Sequence, residues 1–232
     1  MTGDFDAARL KLLSFDVFGT LIRVRDGSHG AFERILQDAG GAHIDVKAFW
    51  EAWEERNIAA YRGPYRTYKE ICHDSLAATF ELYGLTGRPG TISRYFDAFA
   101  EFQLYPDVSD TLDRLSRRFK LAIVSNIDDD LLAATPLNRS FDLVCTAERA
   151  KGYKPDGTLF RYLLGAAGVA REAILHAGQS QLTDMVGAKP LGLTVAWINR
   201  RGVALRPEVP RPDFQFPDIR SLVALVMQPD RS

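Results

Sequence analysis

Five short apolar runs rich in branched residues, LKLLSFDVF, KLAIVSN, FDLVC, AILHAGQ and LTVAWINR, each stop at polar or turn-forming residues. Runs this short and this continuously apolar predict strands buried on both faces. Between the later ones lie DVSDTLDRLSRRF, DDDLLAATPL, DGTLFRYLLGAAGV and LTDMVGAKPLG, each with apolar residues at helical spacing. Strand and helix alternating in this way predict a parallel α/β sheet with helices on both faces.

The stretch from Asp26 to Phe102 breaks the alternation. AFERILQDAG, VKAFWEAWEERNIAAYRG, YRTYKEICHDSLAATFELYG and TISRYFDAFAEF all have helical periodicity, punctuated at Gly63-Pro64 and Gly87 to Gly90. A block of helices inserted after the first strand reads as a cap over the sheet. The expected division is a core of residues 1–22 and 104–232 and a helical cap of 23–103, which suits a chain of 232 residues. Phe49, Trp50, Trp53, Tyr61, Tyr65 and Tyr68 are expected to pack the cap interior. The tail RPEVPRPDFQFPDIRSLVALVM is Pro-rich, then helical, and reads as a closing element.

A net charge of -1 gives no electrostatic reason to bind nucleic acid or an anionic membrane, and the basic pieces RLSRRFK and NRR are short and isolated. Cys72 and Cys145 match no metal-ligand spacing and no disulfide framework, which favours a reducing cytoplasm. The N-terminal apolar run is cut by Lys11 and Asp16, as neither a signal peptide nor a membrane span would be.

In an open parallel sheet, ligands bind beyond the carboxyl ends of the strands, where the connections diverge. The first predicted strand ends in Asp16, followed by Phe18-Gly19-Thr20, where Gly19 permits a tight turn that exposes amides to an anion. The second ends in Ser125-Asn126. The fourth ends in Gly178-Gln179-Ser180, with Gln181 and Asp184 just beyond, and Lys154 precedes a proline between these motifs. Each has a plain structural reading: Asp16 as a turn former, Ser125-Asn126 as turn chemistry, Asp184 as a favourable charge at a helix start, Lys154 as a surface lysine. Their joint placement at the right strand ends favours a site.

DVFGTL (16–21), VSN (124–126), YKPD (153–156) and GQSQLTD (178–184) resemble, in order and spacing, the motifs of the haloacid dehalogenase superfamily over nearly the whole chain. The resemblance implies a Rossmann-like doubly wound parallel sheet and a hydrolase whose nucleophile, Asp16, forms a covalent intermediate opened by water. Most members are magnesium-dependent phosphatases, and their first motif carries a second aspartate where this chain has Phe18. Without that acid an alkoxide leaves unprotonated, a loss of about 10²–10⁴-fold. Gln179 likewise stands where they carry an aspartate, so a magnesium ion would have only Asp16, Asp184 and the Phe18 carbonyl.

The 2-haloacid dehalogenase branch has an aromatic residue at the position of Phe18 and needs no metal or other cofactor. Halide leaves without a proton. By resemblance, Asp16 attacks C2 of a small carboxylic acid of (S) configuration, Thr20 and Ser125 hold its carboxylate, and Asn126 helps to hold the halide. Lys154 offsets negative charge, and Asp184 activates the water. Phe18, Gln179 and Gln181 complete the expected substrate surroundings. Of the cap arginines Arg56, Arg62 and Arg66, Arg56 is chosen to receive halide. Phe160 stands where that branch has a hydrogen-bonding tyrosine. Three other readings remain open: ring opening of a cyclic amino acid, a magnesium-dependent phosphatase, and a non-catalytic binding module. A homodimer is allowed.

Overall fold

The computed structural model describes residues 5–227; the expected core boundaries reach into 1–4 and 228–232, which lie outside the described residues. The strands are β1 (Leu12–Phe15), β2 (Lys120–Ser125), β3 (Leu143–Thr146), β4 (Ile174–Gly178), β5 (Thr194–Ile198) and β6 (Phe214–Phe216). They form one sheet in the order β3-β2-β1-β4-β5-β6, with every neighbouring pair parallel. The helices are α1 (Val24–Asp38), α2 (Val46–Ala60), α3 (Tyr68–Leu82), α4 (Ser93–Asp97), α5 (Val108–Leu115), α6 (Asp129–Ala133), α7 (Ala147–Ala150), α8 (Thr158–Ala166), α9 (Val186–Ala188) and α10 (Arg220–Val226).

Every residue of β1 and β4 is buried, which explains their unbroken apolar runs. Alternate residues feed two cores. Leu13, Phe15, Leu121, Ile123, Leu175 and Ala177 belong to one; Leu12, Val124, Ile174, Val195 and Trp197 belong to the other, with Leu159, Phe160 and Leu163 of α8. The first core continues into the helical insert through Phe32, Phe49, Trp53, Tyr95 and Phe99. Phe49, Trp50, Trp53, Tyr61 and Tyr68 are buried, and Tyr65 is half-buried against them.

Two helices of the insert start at a side-chain cap. Asp45 caps α2 by accepting from Ala48 N, and Thr67 and Glu70 form a reciprocal capping box at α3. The two connections to the sheet run side by side: Ile22 and Leu104 form an antiparallel bridge, with Arg23 N donating to Gln103 O at 2.7 Å and Tyr105 N to Leu21 O at 3.0 Å. The insert also docks on the core at its far side. Asp128, in the loop after β2, accepts from Tyr68 N (2.8 Å) and Lys69 N (3.0 Å) at the start of α3. Tyr153 donates to Arg66 O at 2.8 Å, and its ring stacks on Tyr61 with centroids 4.7 Å apart.

The tail differs from expectation by one strand. Phe214–Phe216 adds β6 to the edge of the sheet, parallel to β5, before α10 closes the fold. Three residues flanked by prolines give too little apolar pattern to read as a strand.

Candidate active site

The sheet order reverses at β1, which lies between β2 and β4. Register brings the ends of these three strands level: Phe15 pairs with Ile123 and with Ala177. The residues just beyond therefore meet at one crevice, as the switch-point rule requires.

Asp16 lies there with its side chain 10% exposed. Its Oδ1 accepts from Lys154 Nζ at 2.8 Å and its Oδ2 from Thr20 Oγ1 at 2.7 Å. Lys154 is buried, and its three N–H donors are all used: Asp16, Asp184 Oδ1 at 2.7 Å and Val124 O at 2.9 Å. Asp184 lies in a π-helical turn over Gln181–Met185. Its Oδ2 accepts from Ser180 N at 2.9 Å, and its Oδ1 also accepts from His176 Nε2 at 3.3 Å. A Cβ on Gly178 would come 2.4 Å from Asp184 Cγ, so only glycine ends β4 with this carboxylate against it.

One ammonium between two carboxylates leaves the cluster with a formal charge of −1 in a buried site. Burial pushes the Asp16 carboxyl above the ordinary aspartate value, aided by Asp184 and opposed by Lys154 and Thr20. Burial acts on Asp184 in the same direction, but Lys154 and His176 outweigh it and hold that carboxyl well below the ordinary range. Lys154 meets a burial penalty too, and its two carboxylates more than compensate, so it stays protonated. Asp16 is the member of the set whose charge is held least firmly.

The other expected residues divide. Ser125 Oγ is buried and has no partner among the described residues, which leaves a hydroxyl free at the end of β2. The Gln179 side chain lies over the loop after β1, 3.0 Å from where a Cβ on Gly19 would stand, and its backbone N–H donates to Thr20 Oγ1 at 2.9 Å. Phe18 is half-buried against Phe99 of the insert, with centroids 5.5 Å apart.

Thr20 spends its single O–H on Asp16, so in this arrangement it orients the carboxylate. Asn126 is paired with the Lys154 backbone, accepting from Lys154 N at 2.8 Å and donating to Lys154 O at 2.9 Å. Gln181 turns away from the crevice, donating to Ala204 O and accepting from Arg206 N. Arg56 donates to Ala52 O on its own helix at 2.7 Å. The amides of Gly19, Thr20, Leu21 and Ile22 all close bonds inside the loop, to Ile22 O and Val17 O. These four amides are turned into the loop.

Three supporting residues carried no clear signal in the sequence. Trp197 donates from Nε1 to Gln179 O at 3.0 Å. Arg200 donates from Nε to Thr20 O at 2.9 Å, forms a two-pronged pair with Asp107 and stacks on Tyr105 at 3.8 Å. His176 could have been noticed as a histidine inside an apolar strand.

A capped parallel sheet whose switch point holds a carboxylate, an ammonium and a second carboxylate defines a class of hydrolytic scaffold. The family model for haloacid dehalogenase-like hydrolases matches residues 10–192, and the chain belongs to that family. An (S)-2-haloacid dehalogenase of Pseudomonas sp. (strain YL) is 29% identical over 93% of this chain and 94% of its own length. A phosphoserine phosphatase of Thermus thermophilus is 30% identical over 78% of this chain and 74% of its own length. The structure of an L-2-haloacid dehalogenase from Xanthobacter autotrophicus superposes with a TM-score of 0.79 at 25% identity, covering 94% of this chain and 98% of the other. Among the described residues no helix is long and apolar enough to cross a membrane.

Proposed function

We propose that this protein hydrolyses a small 2-haloalkanoic acid of (S) configuration, releasing halide through an ester on Asp16. The observation that carries the reading is the surroundings of Asp16: it touches an ammonium and a hydroxyl, while Phe18 and Gln179 offer no acid to protonate a leaving group. A carboxylate so placed suits displacement of a group that leaves as a stable anion. The dehalogenase relatives support the same chemistry.

Asp16 attacks C2; the new C–O bond forms as the C–halogen bond breaks, and the halide takes the bonding pair. Water then adds to the Asp16 carbonyl carbon and the acyl–oxygen bond breaks, giving the 2-hydroxy acid and one proton. Ser125 Oγ is the free donor for the substrate carboxylate. Lys154 keeps positive charge beside the reacting oxygen, and Asn126, by holding the Lys154 backbone on both sides, fixes where that charge stands. Phe18 and Phe99 form an apolar wall. The core of 1–22 and 104–232 and the cap of 23–103 are the two parts between which the acid would be enclosed.

A magnesium ion would have Asp16, Asp184 and the Phe18 carbonyl, and a neutral amide at Gln179 in place of a further carboxylate. Among the described residues no group of three or more His, Cys, Asp or Glu side chains converges as a ligand set. The donors fit a metal centre poorly, and no step above uses one.

The reading is tested by single turnover in ¹⁸O-labelled water over 2-haloacids, cyclic amino acids and phosphate esters. Halide release from (S)-2-chloropropionate with ¹⁸O entering Asp16 is expected; turnover of phosphate esters alone, abolished by EDTA, would overturn it. A pH profile gives a second check. Asp16 reacts as the anion and its carboxyl is pushed upward, so activity falls as pH drops through a value above 3.8. An acid limb of kcat/KM at or below that value would contradict the assignment.

A further inference from the structure

We propose that His176 is a positioning residue for the second half of the reaction: its Nε2–H fixes Asp184 in the orientation from which that carboxylate takes a proton from the ester-opening water. The inference rests on the ester reading above and concerns a residue that touches neither substrate nor Asp16.

His176 is fully buried in the middle of β4, where the surrounding strand positions are apolar. A polar ring in such a place costs stability unless both nitrogens are satisfied. Both are. Nδ1 lies 3.0 Å from Ser14 Oγ, and Ser14 is its partner in register on β1. Nε2 lies 3.3 Å from Asp184 Oδ1; a carboxylate only accepts, so this nitrogen is the donor. The Phe160 ring stands edge-on at 4.8 Å and 82°, which closes the remaining side and fixes the ring plane. Ser14, His176 and Asp184 form a relay of fixed geometry from the sheet interior to the site.

Asp184 receives three hydrogen bonds, from Lys154 Nζ, His176 Nε2 and Ser180 N. A carboxylate has about four acceptor sites, so one remains. With the other three filled, two of them by the buried Lys154 and His176, the carboxylate cannot rotate, and the fourth lone pair points in one direction. As water oxygen bonds to the Asp16 carbonyl carbon, its proton passes to that lone pair. When the acyl–oxygen bond breaks, the departing alkoxide takes this proton from Asp184, and the proton left on the Asp16 carboxyl goes to solvent.

Without His176 the halide-releasing step keeps its nucleophile and its lysine, while the water loses an aligned base. The test mixes wild type, His176→Leu, His176→Gln and Ser14→Ala with (S)-2-chloropropionate and follows chloride release and, after acid quench, the intact mass of the protein. For His176→Leu, a burst of one chloride per enzyme is expected, then steady turnover lowered about 10²-fold, with ester on nearly every molecule. His176→Gln, which can place an amide N–H near the former Nε2, recovers at least tenfold. Ser14→Ala slows the same step by several fold and remains informative if the leucine variant does not fold. Turnover within twofold of wild type, or slowing with no added ester, overturns the role of His176. Chloride released by wild type in ¹⁸O-labelled water with no label entering Asp16 overturns the ester reading and this inference together. No chloride from wild type with any 2-haloacid does the same.

Discussion

Asp16→Asn is expected to remove chloride release from (S)-2-chloropropionate by a factor of about 10⁴ or more, the scale on which loss of a covalent nucleophile acts. The substitution is nearly isosteric. The amide oxygen can still accept from Lys154 Nζ, and the Thr20 hydroxyl can turn to accept where it now donates. Any loss therefore reports the missing anion rather than a disturbed loop. No ¹⁸O label and no adduct should be found on the protein. Stability should move the other way. The Asp16 carboxyl is pushed upward by burial, so its charge opposes folding at neutral pH, and the asparagine should stabilise the fold by about 1 kcal/mol in urea titrations at pH 7. A variant retaining more than about a hundredth of the activity would exclude Asp16 as the nucleophile.

Lys154→Met is expected to cost both activity and fold. The methionine fills similar volume, yet it leaves Asp16 and Asp184 facing each other in a buried site with no counter-charge. Removing one partner from a buried ion pair costs about 3–5 kcal/mol. The pH dependence fixes the cause. In the variant both carboxyls should be raised in the folded state, so the fold binds more protons than the unfolded chain and gains stability as pH falls from 7 toward the ordinary carboxylate range. In wild type Asp184 acts in the opposite sense: its lowered value contributes stability that is full above 3.8 and is lost as pH falls below it. Urea midpoints at pH 7 and pH 5 measure the difference. A destabilisation equal at both would indicate lost packing rather than unpaired charge.

The candidate site residues are most legible in the sequence where they sit at the ends of apolar strands, since strand ends can be counted. Asp16 and Ser125 follow from that count, Asp184 from its place just beyond the fourth strand, and Lys154 from the proline-bearing motif between the strands. What the side chains bond to could not be counted. Asn126 and Lys154 are separated by 28 positions and meet only because β2 and the turn at Lys154 are neighbours in the fold. Gln181 stands three residues before Asp184, a spacing that suggests it lines the substrate, but the π-helical turn carries its amide out to Arg206. Thr20 has one proton, and the partner that takes it depends on the turn of the loop around Gly19. The cap arginines were equally undetermined, since helical spacing gives a face but not what that face meets. Arg56 uses part of its guanidinium on its own backbone.

The bond pair at Asp128 joins the helical insert to the loop that follows β2. Its carboxylate holds the first turn of α3, only two residues beyond Asn126, while Tyr153, bonded to Arg66 O and stacked on Tyr61, is the immediate neighbour of Lys154. Lifting the insert to admit an acid strands two helix N–H groups and a buried carboxylate, each of which then has to find water. The seam of the insert and the seat of the candidate site residues are thus built from the same two loops, so substituting Asp128 or Tyr153 is expected to disturb both.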